Sequence, residues 1–179
     1  MADNVFENDQ NPLSGPAPDG ADMPQVGVIT QYVKDLSFEN PNAPASLQNM
    51  TAAKPAIDVN VNVGVHRLGD DVYEVELKIS ATANNTLEDG KNQVAFAVEL
   101  VYGSLFGLRN VPEEAVRAFL LVQAPMLMFP FARRIIADAS RDGGFPPLLL
   151  EPINFEALYR AQMAQDQQGA EEPTPETLN

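Results

Sequence analysis

Between Ile57 and His66 the side chains alternate without a break. Ile57, Val59, Val61, Val63 and Val65 take one side, and Asp58, Asn60, Asn62, Gly64 and His66 take the other. A period of two belongs to a pleated strand with one apolar face, and a helix would scatter these residues around its circumference. Arg67-Leu68-Gly69-Asp70-Asp71 supplies turn chemistry, after which Tyr73, Val75, Leu77, Ile79 and Ala81 alternate with Glu74, Glu76, Lys78 and Ser80. The two runs predict an antiparallel hairpin whose valine-rich face must be covered by something else.

The flanking segments supply the rest of a sheet. After a turn at Leu87-Glu88-Asp89-Gly90-Lys91, residues Val94, Phe96, Val98, Leu100 and Tyr102 fill one face of a further strand, with Glu99 the one charge on the other. A strand apolar on both faces is expected at the centre of a sheet or at a subunit interface, so Val98, Leu100 and Tyr102 are candidate interface residues. Upstream, order is expected from Val26. Here Val28, Thr30, Tyr32, Lys34, Leu36 and Phe38 alternate imperfectly with Ile29, Val33, Asp35 and Glu39, predicting a strand with an irregularity. It ends at Asn40-Pro41-Asn42-Ala43-Pro44, where closely spaced prolines forbid a ladder, and a crossing loop continues through Leu47 and Met50 to Pro55.

Helical spacing takes over after Val111. Pro112, Glu113 and Glu114 suit a helix start, and Pro125 is expected to interrupt the helix before a second one runs from Met126 through Pro130 to about Ser140. In that second helix Phe131, Ile135, Ile136 and Ala139 form a stripe, making Ile135 and Ile136 further interface candidates. Gly143-Gly144 and Pro146-Pro147 stop it, leaving Phe145, Leu148, Leu149 and Leu150 in an apolar extended loop before Asn154 caps a last helix. Strands first and helices after read as α+β: a four-stranded antiparallel sheet with C-terminal helices packed on one face. Residues 1–25 and 165–179 are acidic, proline-bearing and expected to be disordered, around a single domain over 26–164.

Composition excludes several functions. With 25 acidic against 11 basic residues and a net charge of -14, the chain lacks the clustered cations that nucleic acid requires, and suits basic protein partners instead. No cysteine is present, and His66 is the single histidine, so thiol chemistry is excluded and metal sites are disfavoured. No secretory signal is evident and no apolar run approaches a membrane span, so the expectation is a cytoplasmic protein without membrane insertion. Glu74 and Glu76, with His66 opposite them across the hairpin, are the nearest approach to a catalytic set, and the same positions describe an exposed sheet face; no catalytic residue or cofactor is assigned. What remains is surplus apolar surface in loops. Phe38, Pro41, Pro44, Leu47, Met50, Phe106, Phe145, Leu148, Leu149 and Leu150 suggest a groove for extended peptide, an oligomer interface, or both.

Four blocks carry a family resemblance: YVKDLSFENPNAP from Tyr32 to Pro44, DVYEV from Asp71 to Val75, FPFAR from Phe129 to Arg133, and GFPPL with PINF from Gly144 to Phe155. Together they resemble the SecB protein-export chaperones over about Gln31 to Tyr159. The resemblance implies a cytoplasmic homotetramer, a dimer of dimers, that holds unfolded precursors in apolar grooves without ATP and delivers them to the SecA motor. It also implies an acidic docking face for the basic, zinc-bearing tail of SecA, with Asp35, Glu39 and Glu99 at the matching positions and Ala97 where some relatives carry a larger aliphatic residue. Two alternatives stand beside it: a dedicated chaperone of one labile client such as an antitoxin, and an oligomeric scaffold whose apolar loops are consumed in subunit contacts.

Overall fold

The computed structural model describes residues 23–48, 55–87 and 90–169. Met50, most of the N-terminal tail, and residues 170–179 lie outside them. The elements are β1 (Gln25–Glu39), a single helical turn α1 (Ala45–Gln48), β2 (Ala56–Arg67), β3 (Val72–Thr86), β4 (Asn92–Arg109), α2 (Glu113–Ala118), α3 (Ala124–Asp142) and α4 (Phe155–Gly169). The backbone of α4 therefore continues five residues beyond the boundary expected at 164.

The strands form one antiparallel sheet in the order β1-β4-β3-β2. The β2–β3 hairpin pairs Val65 with Val75 and Ile57 with Ala83, the register that the alternation predicts. Because β1 and β2 occupy opposite edges, the chain must travel the full width of the sheet between them. Three interstrand steps are roughly 14 Å, which accounts for the long crossing loop. Asn42 ties that loop to the sheet through its Nδ2, which donates to the Val94 carbonyl at 2.9 Å.

Two bulges in β1, between Val28 and Thr30 and between Val33 and Asp35, alter the facing expected for this strand. Directly paired residues share a face, so Val28, Gln31, Val33, Leu36 and Phe38 lie on the same side as Phe106, Ser104, Tyr102, Leu100 and Val98. Thr30 and Tyr32, expected beside Leu36 and Phe38, lie on the opposite side with Asp35, Ser37 and Glu39. Each extra residue shifts the pleat by one, and a period-two reading cannot survive that shift.

The inner face is covered by a continuous helix. Instead of breaking at Pro125, α2 runs through a π-helical turn (Phe119–Gln123) into α3, and the proline is the second residue of α3, directly after that turn. The buried residues Leu120, Ala124, Met128, Ala132, Ile136 and Ser140 recur every fourth position and press on Val75, Leu77 and Ile79 of β3 and on Val98, Leu100 and Phe106 of β4. Over Glu113–Asp142 this helix is 30 residues long and contains an 18-residue stretch with a mean hydropathy of 1.6, long and apolar enough to cross a membrane, contrary to the expectation of no such run. Its length arises because the expected break is absent, and its buried stripe makes it the core helix of this domain.

The helix ends against the crossing side of the sheet. Gly143 donates to the Ala139 carbonyl, Gly144 adopts φ +89°, and Ser140 Oγ accepts a 2.8 Å bond from the Leu148 amide, pinning the proline loop to the helix terminus. Phe38 stacks on Phe96 with ring centroids 5.6 Å apart, while Phe145 lies 4.7 Å from Phe96. A Cβ on Gly143 would stand 2.2 Å from Phe38 Cζ. Gly143→Ala is therefore expected to drive Phe38 out of its place and cost about 1–3 kcal/mol, measured by denaturant unfolding; pairing it with Phe38→Leu should restore part of that loss.

Candidate functional site

The apolar residues that the helix leaves uncovered collect along β2. On this edge strand Ile57 and Val59 are exposed and Val61, Val63 and Val65 half-buried, because α3 packs chiefly over β3 and β4. The segment Phe145–Ile153 runs beside them. Between the two lies a cleft of about 330 Å³ walled by Pro55, Ile57, Phe96, Phe145, Pro146 and Leu148. A second cleft of about 500 Å³, lined by Val59, Val61, Leu149, Ile153 and Leu158, shares Ile57 and Leu148 with the first. The result is one elongated apolar trough. Pro146 and Pro147 brace its wall, so little backbone freedom remains to be lost on binding.

The expected groove residues divide accordingly. Leu149 is 64% exposed and Leu148 half-buried, while Phe145 and Leu150 are buried and contribute floor. Phe38 and Leu47 brace the adjacent end, with Leu47 against Gly144 and Pro41 and Pro44 exposed beyond them. Phe106 is a correction: it is fully buried beneath Phe119, in edge-to-face contact at 5.5 Å, and belongs to the core. Val98, Leu100, Tyr102 and Ile136 are also enclosed within the chain, and Ile135 is half-buried, so the first four present no surface to a partner. Their faces were apolar because the helix covers them. The uncovered apolar residues are instead Val28, Val33 and Leu36 on β1 and Met126, Leu127 and Phe131 on α3.

Among the described residues no helix lies on the outer face of the sheet. Ser37 pairs with Glu99, flanked along β1 by Asp35 opposite Val101 and Glu39 opposite Ala97. This places both acids diagonal to Glu99, at roughly 7–8 Å between backbones. All three are exposed, and among the described residues no cation pairs with any of them. The sequence left Glu99 in need of either a partner or water, and the open face supplies water.

Farther along this face is a second polar group. Glu74 and Glu76 were expected on an exposed surface, yet they are only 8% and 5% accessible. Gly103 is the reason. It pairs with both Tyr32 and Glu76, and a Cβ there would meet the Tyr32 ring at 2.7 Å, so the glycine opens a lane across β4. Through it Tyr32 donates to Glu74, while Lys34 Nζ bonds Glu74 at 2.9 Å and also Glu76. Lys78 adds a 3.0 Å pair to Glu76, and His66 Nε2 stands 3.6 Å from it. Hydrogen bonds from Lys34, and next from Lys78, hold the Glu76 carboxyl down to about 2 against the opposing effect of desolvation. The bond from Tyr32 lowers Glu74 likewise, and Lys34 is raised well above its ordinary value by Glu76 and then Glu74. His66, Glu74 and Glu76 have the ligand types and proximity for a metal ion, but the Lys34 ammonium already lies between the carboxylates. Both acids are thereby committed to ion pairs.

The sequence model of the family described as preprotein translocase subunit SecB matches residues 19–166. The chain belongs to the SecB family. The protein-export protein SecB of Novosphingobium aromaticivorans is 49% identical over 174 residues, 96% of each chain. That of Rhizorhabdus wittichii is 57% identical over 143 residues, covering 80% of this chain and 82% of its own. Among solved structures, the fold is similar to a Mycobacterium tuberculosis SecB-like chaperone in complex with a ChAD peptide from an antitoxin. That match has a TM-score of 0.57 and 16% identity, and covers 72% of this chain and 90% of the other.

Sequence reading overlooked Ile57, Val59 and Val61 as groove residues, because an alternating valine strand reads as wholly core; only the edge position of β2 exposes it. The carboxylate pair was visible and its burial was not. Glu76, depressed below an ordinary value of 4.5, stabilises the fold fully above that pH and loses the contribution progressively as pH falls towards about 2. Glu76→Gln should therefore lower stability at pH 7 but flatten its decline across that acid window, as measured by denaturant unfolding at stepped pH. Parallel acid profiles for the two proteins would show that the ion network adds no stability.

Proposed function

We propose that this protein is an ATP-independent cytoplasmic chaperone, without catalysis, that holds unfolded precursor proteins in the β2 trough and passes them to the SecA motor. The observation that carries this reading is the elongated trough between Ile57–Val61 and Phe145–Ile153, two joined apolar clefts on a member of the SecB family. An extended, unfolded segment fits such a trough because its side chains are accessible, and no cofactor is needed to capture it. The purified protein should slow aggregation of a denatured precursor at near-stoichiometric ratio with no nucleotide present. Leu149→Glu, which puts a charge on the exposed wall, should weaken that protection about tenfold or more without lowering the melting temperature. Absence of protection towards any unfolded client would refute the role, and capture of one abundant client without SecA would redirect it to a dedicated chaperone.

The assembly reading moves to new residues. Val28, Val33 and Leu36 on the inner side of β1, with Met126, Leu127 and Phe131 on the free side of α3, are the uncovered apolar surface that homotetramer contacts between copies would bury. Phe131, 51% exposed in the single chain, is the position to change: Phe131→Asp should lower the assembly mass seen by light scattering.

Asp35, Glu39 and Glu99 are the docking residues for the basic, zinc-bearing tail of SecA. Their exposure, shared face and lack of cation partners among the described residues support this reading. Asp35→Ala with Glu39→Ala should weaken tail binding about tenfold at low salt and less at high salt, with client protection intact. Equal loss of both would indicate damage to the fold instead.

A further inference from the structure

The outer face carries two lysines beside its acidic patch, and both point away from it. Lys34 precedes Asp35 directly, and the bulge between Val33 and Asp35 puts both side chains on the same face. Lys78 lies in the same cross-strand row as Asp35, with Val101 between them. Neighbouring opposite charges on an exposed sheet would ordinarily pair. Here both ammonium groups are bound to the Glu74–Glu76 pair instead, Lys34 to both carboxylates and Lys78 to Glu76. Two lysines and two glutamates make the cluster self-neutral, with His66 at its margin. Asp35, Glu39 and Glu99 consequently keep their charge undivided.

We propose that Glu74 and Glu76 are positioning residues for docking: by sequestering Lys34 and Lys78 they keep the acidic patch uncompensated for a basic partner segment. This rests on the docking assignment above. Gly103 is part of the device, because only a residue without a side chain lets the Tyr32 ring cross β4 towards Glu74. The lysines are not buried: the Lys34 and Lys78 side chains are 44% and 52% accessible, so an ammonium released from the glutamates is free to swing to Asp35. Removal of the glutamates therefore does more than subtract a distant negative charge. It delivers a positive one to the patch.

A double-mutant cycle separates the two effects. Binding of the zinc-loaded SecA tail, as a purified peptide, is measured for the full chain, Glu74→Gln with Glu76→Gln, Lys34→Met with Lys78→Met, and all four changes combined, with Glu76→Gln alone, which frees Lys78, as a second carboxylate variant should the glutamate pair fail to fold. In the presence of both lysines, loss of the carboxylates should weaken binding roughly three- to tenfold at low salt. In the background without the two lysines the same change should cost less than about twofold. Equal weakening in both backgrounds would overturn the proposal, since it would mark simple long-range charge loss. Thermal unfolding of all four proteins guards against a purely structural effect, which would not depend on salt. The Asp35→Ala, Glu39→Ala protein completes the experiment. If it binds the tail normally, the docking assignment fails and the proposal falls with it; if it binds weakly while the cycle shows no coupling, the positioning role alone is refuted.

Discussion

A sheet that, among the described residues, is covered on one face only is the constraint on which this molecule depends. The stripe from Leu120 to Ser140 is only one or two residues wide at each turn of the helix, and it seals β3 and β4. One helix cannot also span β1 and β2, about 10 Å being the width of a helix with its side chains. The two edges of the inner face are thus left with exposed valine, isoleucine and leucine. One edge becomes the trough beside β2. The other, on β1 together with the free side of α3, stays uncovered in the single chain.

The outer face obeys different rules because water reaches it. Val101 and Leu105 of β4 are half-buried there, and charges are free to stay solvated, as Asp35, Glu39 and Glu99 do. Glu74 and Glu76 are the exception. Burial of a carboxylate is tolerated only with partners of opposite charge, and here Lys34 and Lys78 supply them. Two β-bulges and one glycine make that cluster possible. The bulge at Lys34 turns the lysine onto the outer face, and Gly103 clears the path to β3. Small backbone departures thereby sort the charges of this face into a neutral group and an acidic one.

Legibility from sequence followed the range of the interaction. The β2–β3 hairpin, the Gly143-Gly144 stop and the Asn154 cap, whose Oδ1 accepts from the Ala157 amide at 2.9 Å, are local and were readable from a few adjacent residues. Pro125 misled, because a proline reads as a break unless the π turn that absorbs it is seen. Phe106 and Tyr102 misled for another reason. An apolar side chain carries no mark of whether it meets a helix of its own chain, a partner, or a client.

By itself the sequence determined the strand alternation, the α+β order and the acidic character, and it carried the blocks that resemble the SecB family. The first three depend on periodicity, turn chemistry and composition, which are legible without the fold, and the last is a likeness of short motifs. Only the tertiary structure decided which apolar faces stay open, that Ile57 and Val59 line the trough, and that Lys34 serves Glu74 and Glu76 instead of Asp35. Each of these follows from where a strand lies in the sheet and how a bulge shifts its pleat, and neither strand order nor the phase of a bulge is written in any local pattern.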